Sequence, residues 1–401
     1  ILYFPKLRPD VDVTKGQIKL FCNQVFVSDR CEEIVPEFLM PLRGVIDSPD
    51  IPLNVSRSAL TNHRTVRRIA DFIAKKIGDR LKSLYNEDYP EYVRSWSDIG
   101  TFVKYGCLKD EKFKKQVEDL IIFRTTYEGK APTTDTPAVQ VQSEEGDAWQ
   151  NVTPETPSDK EKAGEPHTTL KDYLERNKTR HENRVFYCSD PDTQATYVEL
   201  YAKQGLEVLF MDSFIDANYF IPFLEREYSN VKFSRVDAEL DSTLLAQDKA
   251  GEIVDPTTNK TRSEAIKELF EKALNKPRVN IKTQVLKSDN PQGTPPAMVL
   301  LPEAMRRLQE MTALMQQKAM AFPEDHVLVV NTAHPLIDNI YQLSKGTIIQ
   351  GAGQSPSGEL VNLMCQHVYD LALMAQKAFD AEGVKAFVER SNRVLTQLTQ
   401  Q

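Results

Sequence analysis

Strand-like and helix-like segments alternate along residues 168–240, and this alternation restricts the possible folds more than any other feature of the chain. Short runs rich in β-branched and aromatic residues predict strands, and the stretches between them carry apolar residues at helical spacing. The predicted strands are Val185–Cys188, Glu207–Met211 and Lys232–Val236, and the predicted helices are Leu170–Asn177, Thr193–Lys203 and Asn218–Glu227. Because parallel strands need a crossover connection, usually a helix, this alternation predicts a small parallel sheet.

A second α/β part is predicted over residues 1–126. Gln17–Val27 is rich in aromatic and β-branched side chains and predicts a strand. Val66–Leu84 has apolar residues at helical spacing, and Glu111–Ile122 predicts a further amphipathic helix. Residues 127–167 are instead dominated by Thr, Pro, Ser, Glu and Gly. We interpret them as a flexible insertion, because so few apolar groups cannot offset the entropy lost on ordering.

A third part, residues 258–401, follows a polar stretch and is predicted to be α+β. Its predicted strands are Val279–Leu286, Met298–Leu301 and Val327–Val330, and its predicted helices are Ser263–Leu274, Glu303–Ala319, Glu359–Phe379 and Val384–Leu398. A chain of 401 residues is too long to fold around one hydrophobic core. We therefore expect an α/β and α+β multidomain protein with parts at 1–126, 168–257 and 258–401.

Charge and cysteine usage exclude several classes of protein. The net charge of −8 argues against a nucleic-acid-binding protein, because phosphate neutralisation needs a basic surface. No apolar run approaches the roughly 20 residues of a membrane span. The five cysteines are dispersed, as expected for reduced thiols in the cytoplasm. The six histidines show no metal-binding spacing, so no metal site is expected.

An independent α/β enzyme remains an alternative interpretation, but two glycine-related patterns disfavour it. The turn after the first strand of the parallel sheet, Ser189–Thr193, is acidic and lacks glycine, whereas a phosphate cradle needs close backbone approach without negative charge. The glycine-rich run at 351–358 has no predicted strand leading into it. We therefore interpret that run as a loop before a helix.

The stretch Gly44–Arg57 is apolar and rich in turn-forming residues, and it ends on an arginine. The basic helix predicted after it would anchor this loop, so Arg57 could deliver a fixed charge to a group outside its own domain. Arginine is a planar, permanently charged fork that suits phosphate. Asn54 and Ser56 are expected to fix the loop, because such side chains bond to nearby backbone groups.

These residues, taken with others along the chain, resemble the heat-shock protein 90 chaperones, in particular the bacterial HtpG type. The resemblance is carried in order by Ile1–Lys6, Phe21–Val27, Gly44–Arg57, Leu170–Leu174, Val185–Tyr187, Gly205–Leu209, Ala304–Arg307, Asn331–Leu336 and the two closing helices. It implies a middle domain of two α/β parts joined by helices, over 1–126 and 168–257, and a C-terminal dimerisation domain ending in a helical bundle, over 258–401. Since the chain begins at Ile1 inside a strand-like pattern, we expect the N-terminal ATPase domain to be absent.

The resemblance also implies an ATPase role for Arg57, which would contact the γ-phosphate of ATP held by the N-terminal domain. ATP and magnesium would belong to the full-length protein, so this piece alone is expected to bind no cofactor and to be inactive. The sequence departs from the family after the arginine, where Ser58 replaces an acidic residue and Thr61 replaces a glutamine.

The partners implied by the resemblance are a second copy of the chain and unfolded or partly folded client proteins, with no nucleic acid or membrane. A client-binding surface is expected at Met305, Leu308, Met311, Leu314 and Met315, because methionine adapts to partners of varied shape. The dimer interface is expected at Leu363, Leu371, Met374, Phe387 and Leu395. A passive dimeric scaffold without client binding is the other alternative.

Overall fold

The computed structural model describes residues 1–4, 18–29, 34–39, 41–49, 63–129, 165–246, 253–255, 260–288, 290–302, 305–306, 325–349, 356–376, 379 and 381–399. The chain divides into two compact units. The first unit contains Ile1–Glu182 and Ser213–Ser229, and the second contains Asn183–Asp212 and Asn230–Gln401. Each unit mixes helices with sheet, so the predicted α/β and α+β fold class is confirmed.

The first unit opens with a four-stranded sheet in the order β1-β4-β2-β3. Its strands are β1 (Leu2–Tyr3), β2 (Ile18–Cys22), β3 (Val25–Ser28) and β4 (Arg43–Asp47). The prediction of a single strand over Gln17–Val27 is wrong, because Asn23 and Gln24 take positive φ values of 49° and 66°. Two successive left-handed residues make the tight turn of a hairpin, so β2 and β3 pair antiparallel.

Three helices follow the sheet, namely α1 (His63–Glu87), α2 (Tyr89–Lys109) and α3 (Glu111–Val117). The predicted helix Val66–Leu84 is confirmed within α1. Asp110 ends α2 and starts α3, because its carboxylate accepts hydrogen bonds from the Lys112 and Phe113 amides at 2.8 and 2.9 Å. The predicted helix Glu111–Ile122 is too long, since a 3₁₀ turn follows Val117 and a strand begins at Ile122.

In the described remainder of the first unit, a strand pair is followed by one helix and a later helical segment. β5 (Ile122–Thr125) pairs antiparallel with β6 (His167–Thr169), and α4 (Leu170–Asn177) follows β6 at once. The later segment of this unit contributes a π-helix, Asp216–Phe220, which continues into α6 (Ile221–Glu227).

The second unit contains the predicted parallel strands. β7 (Arg184–Cys188) pairs in parallel with both β8 (Val208–Phe210) and β9 (Lys232–Arg235), so the parallel pairing expected from the alternation is confirmed. The crossover from β7 to β8 is α5 (Pro191–Lys203), close to the predicted helix.

A second sheet in this unit lies in the order β12-β14-β13. Two short strands, β10 (Ile253–Asp255) and β11 (Lys260–Thr261), precede α7 (Arg262–Leu274) and the sheet strands β12 (Val279–Gln284), β13 (Ala297–Leu300) and β14 (His326–Asn331). Its apolar face packs against α7, α8 (Pro335–Ile349) and the penultimate helix (Pro356–Ala375). The last helix (Ala381–Leu398) packs on the penultimate one.

The turn between β14 and α8 is held by its own side chains. The Asn331 side-chain oxygen accepts hydrogen bonds from the amides of Leu286 and Ala333 at 3.3 and 3.2 Å. His334 Nδ1 accepts a hydrogen bond from the Leu336 amide at 3.1 Å, and partial burial lowers the pKa of His334. These contacts hold the chain from Asn331 to Leu336 in place, which is a structural role. Across the described residues, no helix is both long and apolar enough to cross a membrane.

Candidate interaction surfaces

The segment predicted to carry the phosphate-binding arginine lies between β4 and α1. Arg57, Asn54, Ser56 and Thr61 fall outside the described residues, so their roles stay predictions. On the near side of the segment, the Asp47 carboxylate accepts hydrogen bonds from the Gln24 amide at 3.2 and 3.3 Å. This carboxylate therefore ties the end of β4 to the β2–β3 turn.

The far side of the segment is anchored by α1, which packs against α2 and α3. Its buried face includes Ile73, Ala74 and Leu81. Its exposed basic side chains are Arg67, Arg68, Lys75, Lys76, Arg80 and Lys82. A helix N-terminus already attracts anions, and the exposed Arg67 and Arg68, which lie nearest the start of α1, add to the positive potential there. The start of α1 is thus an environment that favours a phosphate group over a cation.

The methionine-rich segment is described only at its start. Met305 is half-buried, whereas Leu308, Met311, Leu314 and Met315 lie outside the described residues. Arg306, which follows Met305, is buried although it is charged. Its side chain is 3% exposed, and the guanidinium donates a hydrogen bond to the buried Tyr187 hydroxyl at 3.0 Å. Arg306 therefore holds the beginning of this segment against β7.

The last two helices contain both buried and exposed apolar side chains. The penultimate helix buries Leu360, Val361, Leu363, Cys365, Val368, Tyr369 and Ala372. Five of these, Val361, Cys365, Val368, Tyr369 and Ala372, belong to the core cluster of the second unit. Leu371 and Met374, by contrast, are 39% and 40% exposed. Of the predicted interface residues on this helix, only Leu363 is already buried within a single chain.

The last helix leaves a row of apolar side chains in solvent. The exposed residues are Val384, Val388, Leu395 and Leu398, and Leu395 is 61% exposed. Phe387 instead faces the penultimate helix, where its ring stacks on His367 with centroids 5.2 Å apart. We name the exposed set, together with Leu371 and Met374, the terminal apolar face. Several large apolar side chains exposed on one pair of helices are typical of an interaction surface.

Two ion pairs fix the last helix on the penultimate one. The Arg393 guanidinium lies 2.6 Å from the Glu359 carboxylate, and Arg390 pairs with Asp370. Burial and the neighbouring charge of Arg390 lower the pKa of His367. The helical pair is therefore a defined platform that presents the terminal apolar face.

The turn after β7 is occupied by the chain's own side chains. The Asp190 carboxylate accepts hydrogen bonds from the amides of Asp192 and Thr193 at 3.1 and 3.3 Å. Gln194 accepts from the Ser189 and Asp190 amides at 2.9 and 3.4 Å. The amides that a nucleotide phosphate would need are thus already bonded. Within the described ranges, moreover, no three His, Cys, Asp or Glu side chains cluster as metal ligands would.

Sequence reasoning missed buried polar contacts such as those of Arg306 with Tyr187 and of Lys104 with Asp216. The Lys104 ammonium lies 2.7 and 2.9 Å from the two Asp216 carboxylate oxygens. A signal for Lys104 did exist, because it lies beside Val103 and between Gly100 and Cys107, which are buried on α2. Its partner is more than a hundred residues away, and nothing in the sequence pairs the two.

Comparison with known proteins extends over most of the chain. A family model described as Hsp90 protein matches residues 1–145 and 158–400. The HtpG chaperone protein of Bacteroides fragilis is 33% identical over 346 residues, which cover 85% of this chain and 45% of the relative. The HtpG proteins of Porphyromonas gingivalis and Magnetococcus marinus are 31% and 26% identical, covering 87% and 98% of this chain and 46% and 55% of those relatives. The chain thus spans about half the length of these relatives.

Proposed function

The chain belongs to the Hsp90 protein family, and from that membership we propose that it forms the middle and C-terminal parts of an HtpG-type molecular chaperone. Such a chaperone would act in the cytoplasm and assist the folding of unfolded or partly folded client proteins. The observation that carries this proposal is the family match over residues 1–145 and 158–400, which takes in both compact units. Residues 1–126 and 168–257 would form the middle domain, and 258–401 the dimerisation domain.

The proposal includes ATP hydrolysis by the full-length protein. Arg57 would contact the γ-phosphate of ATP, bound with magnesium in a neighbouring domain, and would stabilise the charge that develops as the phosphoryl group is transferred. Asn54 and Ser56 would hold the loop in position. Support comes from the exposed Arg67 and Arg68 near the start of α1, which follows this loop, because they raise the positive potential there.

The proposal also includes a homodimer formed through the terminal apolar face. Support comes from the exposure of Leu371, Met374 and Leu395 in the single chain, since side chains of this size lose unfavourable hydration when a second copy covers them. Two antiparallel helices from each copy would make a four-helix bundle. Leu363 and Phe387 would support that bundle from within each chain.

An aggregation assay tests the chaperone proposal. We expect the chain to suppress aggregation of a heat-unfolded model protein in proportion to its concentration. A variant with Met305→Ser, Leu308→Ser and Met311→Ser should suppress it less while melting at nearly the same temperature. The matched control, Gln309→Ser with Gln316→Ser on the same predicted helix, should suppress aggregation like the unchanged chain.

Two results would contradict the client-binding proposal. If the triple variant lowers the melting temperature by several degrees, the methionine stripe is core, because burial of each side chain would contribute about 1 kcal/mol or more. If the unchanged chain dimerises but never slows aggregation, the passive scaffold is the better account of its function.

A further inference from the structure

A cleft of about 470 Å³ in the first unit is lined by β1 and by one side of α1 and α2. Its volume lies within the range of sites that bind small molecules. Ile73 and Leu81 are buried in its wall, and Phe72, which is 60% exposed, stands at its edge. Most of the lining is apolar, so the cleft is suited to a hydrocarbon group.

Two cations on α1 also line this cleft. Lys76 and Arg80 are one helical turn apart and both are exposed, so they lie on the same side of the helix. Lys76 Nζ is 4.0 Å from the Asp79 carboxylate, at the outer limit of an ion pair. Within the described part of the chain, the Arg80 guanidinium has neither an ion pair nor a hydrogen bond. An apolar cleft with an uncompensated guanidinium complements an anion that has an apolar body.

The chemistry of the lining favours a hydrocarbon chain over a peptide. Ser95 and Tyr3 are the lining side chains with an uncharged polar atom. A polypeptide brings an N–H and a C=O at every residue, and each costs free energy when it is buried without a partner. A hydrocarbon tail brings no such groups. The lining along α1, from Phe72 to Leu84, is about 18 Å long at 1.5 Å per residue.

We propose that this cleft binds a free single-chain carboxylate amphiphile, such as a fatty-acid anion. The tail lies along α1 against Ile73 and Leu81, and the carboxylate pairs with Arg80 and Lys76. This site is independent of the chaperone assignment, because none of its residues belongs to the arginine loop, the methionine segment or the terminal apolar face.

Titration calorimetry of the 401-residue chain with monomeric dodecanoate tests the site. We expect saturable binding of one molecule per chain, and weaker binding of dodecyl maltoside, which has the same tail and no charge. Arg80→Gln should weaken dodecanoate binding about tenfold, the loss expected for one charge-assisted hydrogen bond. Lys82→Gln removes the same charge from an exposed position outside the lining, and its binding should match the unchanged chain. Phe72→Ser should weaken binding several-fold without altering the melting temperature, since this ring is largely in solvent.

Several results would overturn the proposal. The Arg80 guanidinium has no role in binding if dodecanoate and dodecyl maltoside bind equally well. The same conclusion follows if Arg80→Gln and Lys82→Gln have equal effects. Binding to phosphatidylglycerol vesicles without binding of monomeric dodecanoate would assign the surface to a membrane. Displacement of dodecanoate by an acidic apolar peptide would assign it to a polypeptide. Absence of saturable binding would show that the cleft does not hold such an anion.

Discussion

Lys104 and Asp216 form an ion pair that is buried inside the first unit. The two residues are 5% and 2% exposed. Besides its contact with both carboxylate oxygens, the Lys104 ammonium lies 4.8 Å from the centroid of the Phe123 ring. The Ser213 hydroxyl donates a further hydrogen bond to Asp216 at 2.6 Å. Each charge thus has partners that replace water, which is the condition for burying an ion pair without a large penalty.

Removal of the Lys104 charge should therefore destabilise the fold strongly. We expect Lys104→Met to lower the free energy of unfolding by about 3–5 kcal/mol, because Asp216 would remain buried without a counter-ion. Lys112 provides a matched control, since its ammonium is also 2.7 Å from a carboxylate, that of Asp71, but both side chains are exposed. Lys112→Met should cost much less. Urea unfolding measures both, and equal losses would show that burial does not decide the outcome.

Arg57 calls for a kinetic test in the full-length protein. We expect Arg57→Ala to lower the kcat of ATP hydrolysis by about tenfold or more, with the Kd for ATP nearly unchanged, because the proposed contact acts on the transition state. Arg94→Ala, which removes an exposed arginine from α2, serves as the control and should retain most of the activity. An unchanged kcat in Arg57→Ala would refute the assignment.

Among the larger elements, the last helix has the clearest consequence for assembly. One of its sides packs on the penultimate helix, whereas Val384, Val388 and Leu395 face solvent. A helix that is apolar on more than one side is stable in water only when both sides are covered. Within a single chain, only the side of the last helix that faces the penultimate helix is covered, so we expect a second copy to cover the other side.

Disruption of the terminal apolar face should separate the dimer. Light scattering should give about twice the 45.6 kDa mass of one chain. Leu395→Asp should shift the mass toward that of a monomer, because a carboxylate cannot be buried at the centre of an apolar interface without a partner. Asn392→Asp adds the same charge at an exposed polar position of the same helix and should leave the mass unchanged. A dimer that survives Leu395→Asp would place the interface elsewhere.

Prediction of the elements from sequence succeeded where apolar spacing was long and regular. α1 and the parallel strands β7, β8 and β9 agree with their predictions because their apolar side chains face a core. Prediction failed at Asn23 and Gln24, whose left-handed conformation is unusual for a pair without glycine. It also failed at Ile122, which extends a helical apolar pattern but pairs with Thr169 in a sheet. The buried polar contacts could not be predicted from sequence patterns. Arg306, for example, donates its hydrogen bond to Tyr187, which is distant along the chain.

Buried thiols are distributed over both units and link the stability of the whole protein to alkaline pH. Burial raises the pKa of Cys107, Cys188 and Cys365 from 9.0 to about 12. The folded protein therefore keeps these protons over a range in which the unfolded chain releases them. The contribution of these thiols to the free energy of unfolding is complete below about pH 9 and is lost as the pH rises toward 12.

The resulting prediction is a loss of stability above about pH 9. At one pH unit above the unfolded pKa, each thiol should remove about 1 kcal/mol from the free energy of unfolding. A chain with all three cysteines replaced by alanine should show a shallower decline, although buried tyrosines such as Tyr197 and Tyr201 act in the same direction. Urea unfolding at a series of pH values measures the slope, and identical slopes for the two chains would contradict the role of the thiols.

The two compact units are interleaved along the chain, since Ser213–Ser229 belongs to the first unit although Asn183–Asp212 belongs to the second. When translation has reached Glu182, Lys104 has been synthesised but Asp216 has not. The nascent first unit would then hold an ammonium group whose counter-ion has not yet been translated. Completion of this unit must wait until translation passes residue 229, by which point part of the second unit has also left the ribosome. The two units therefore cannot fold one after the other, in the order of the sequence, during translation.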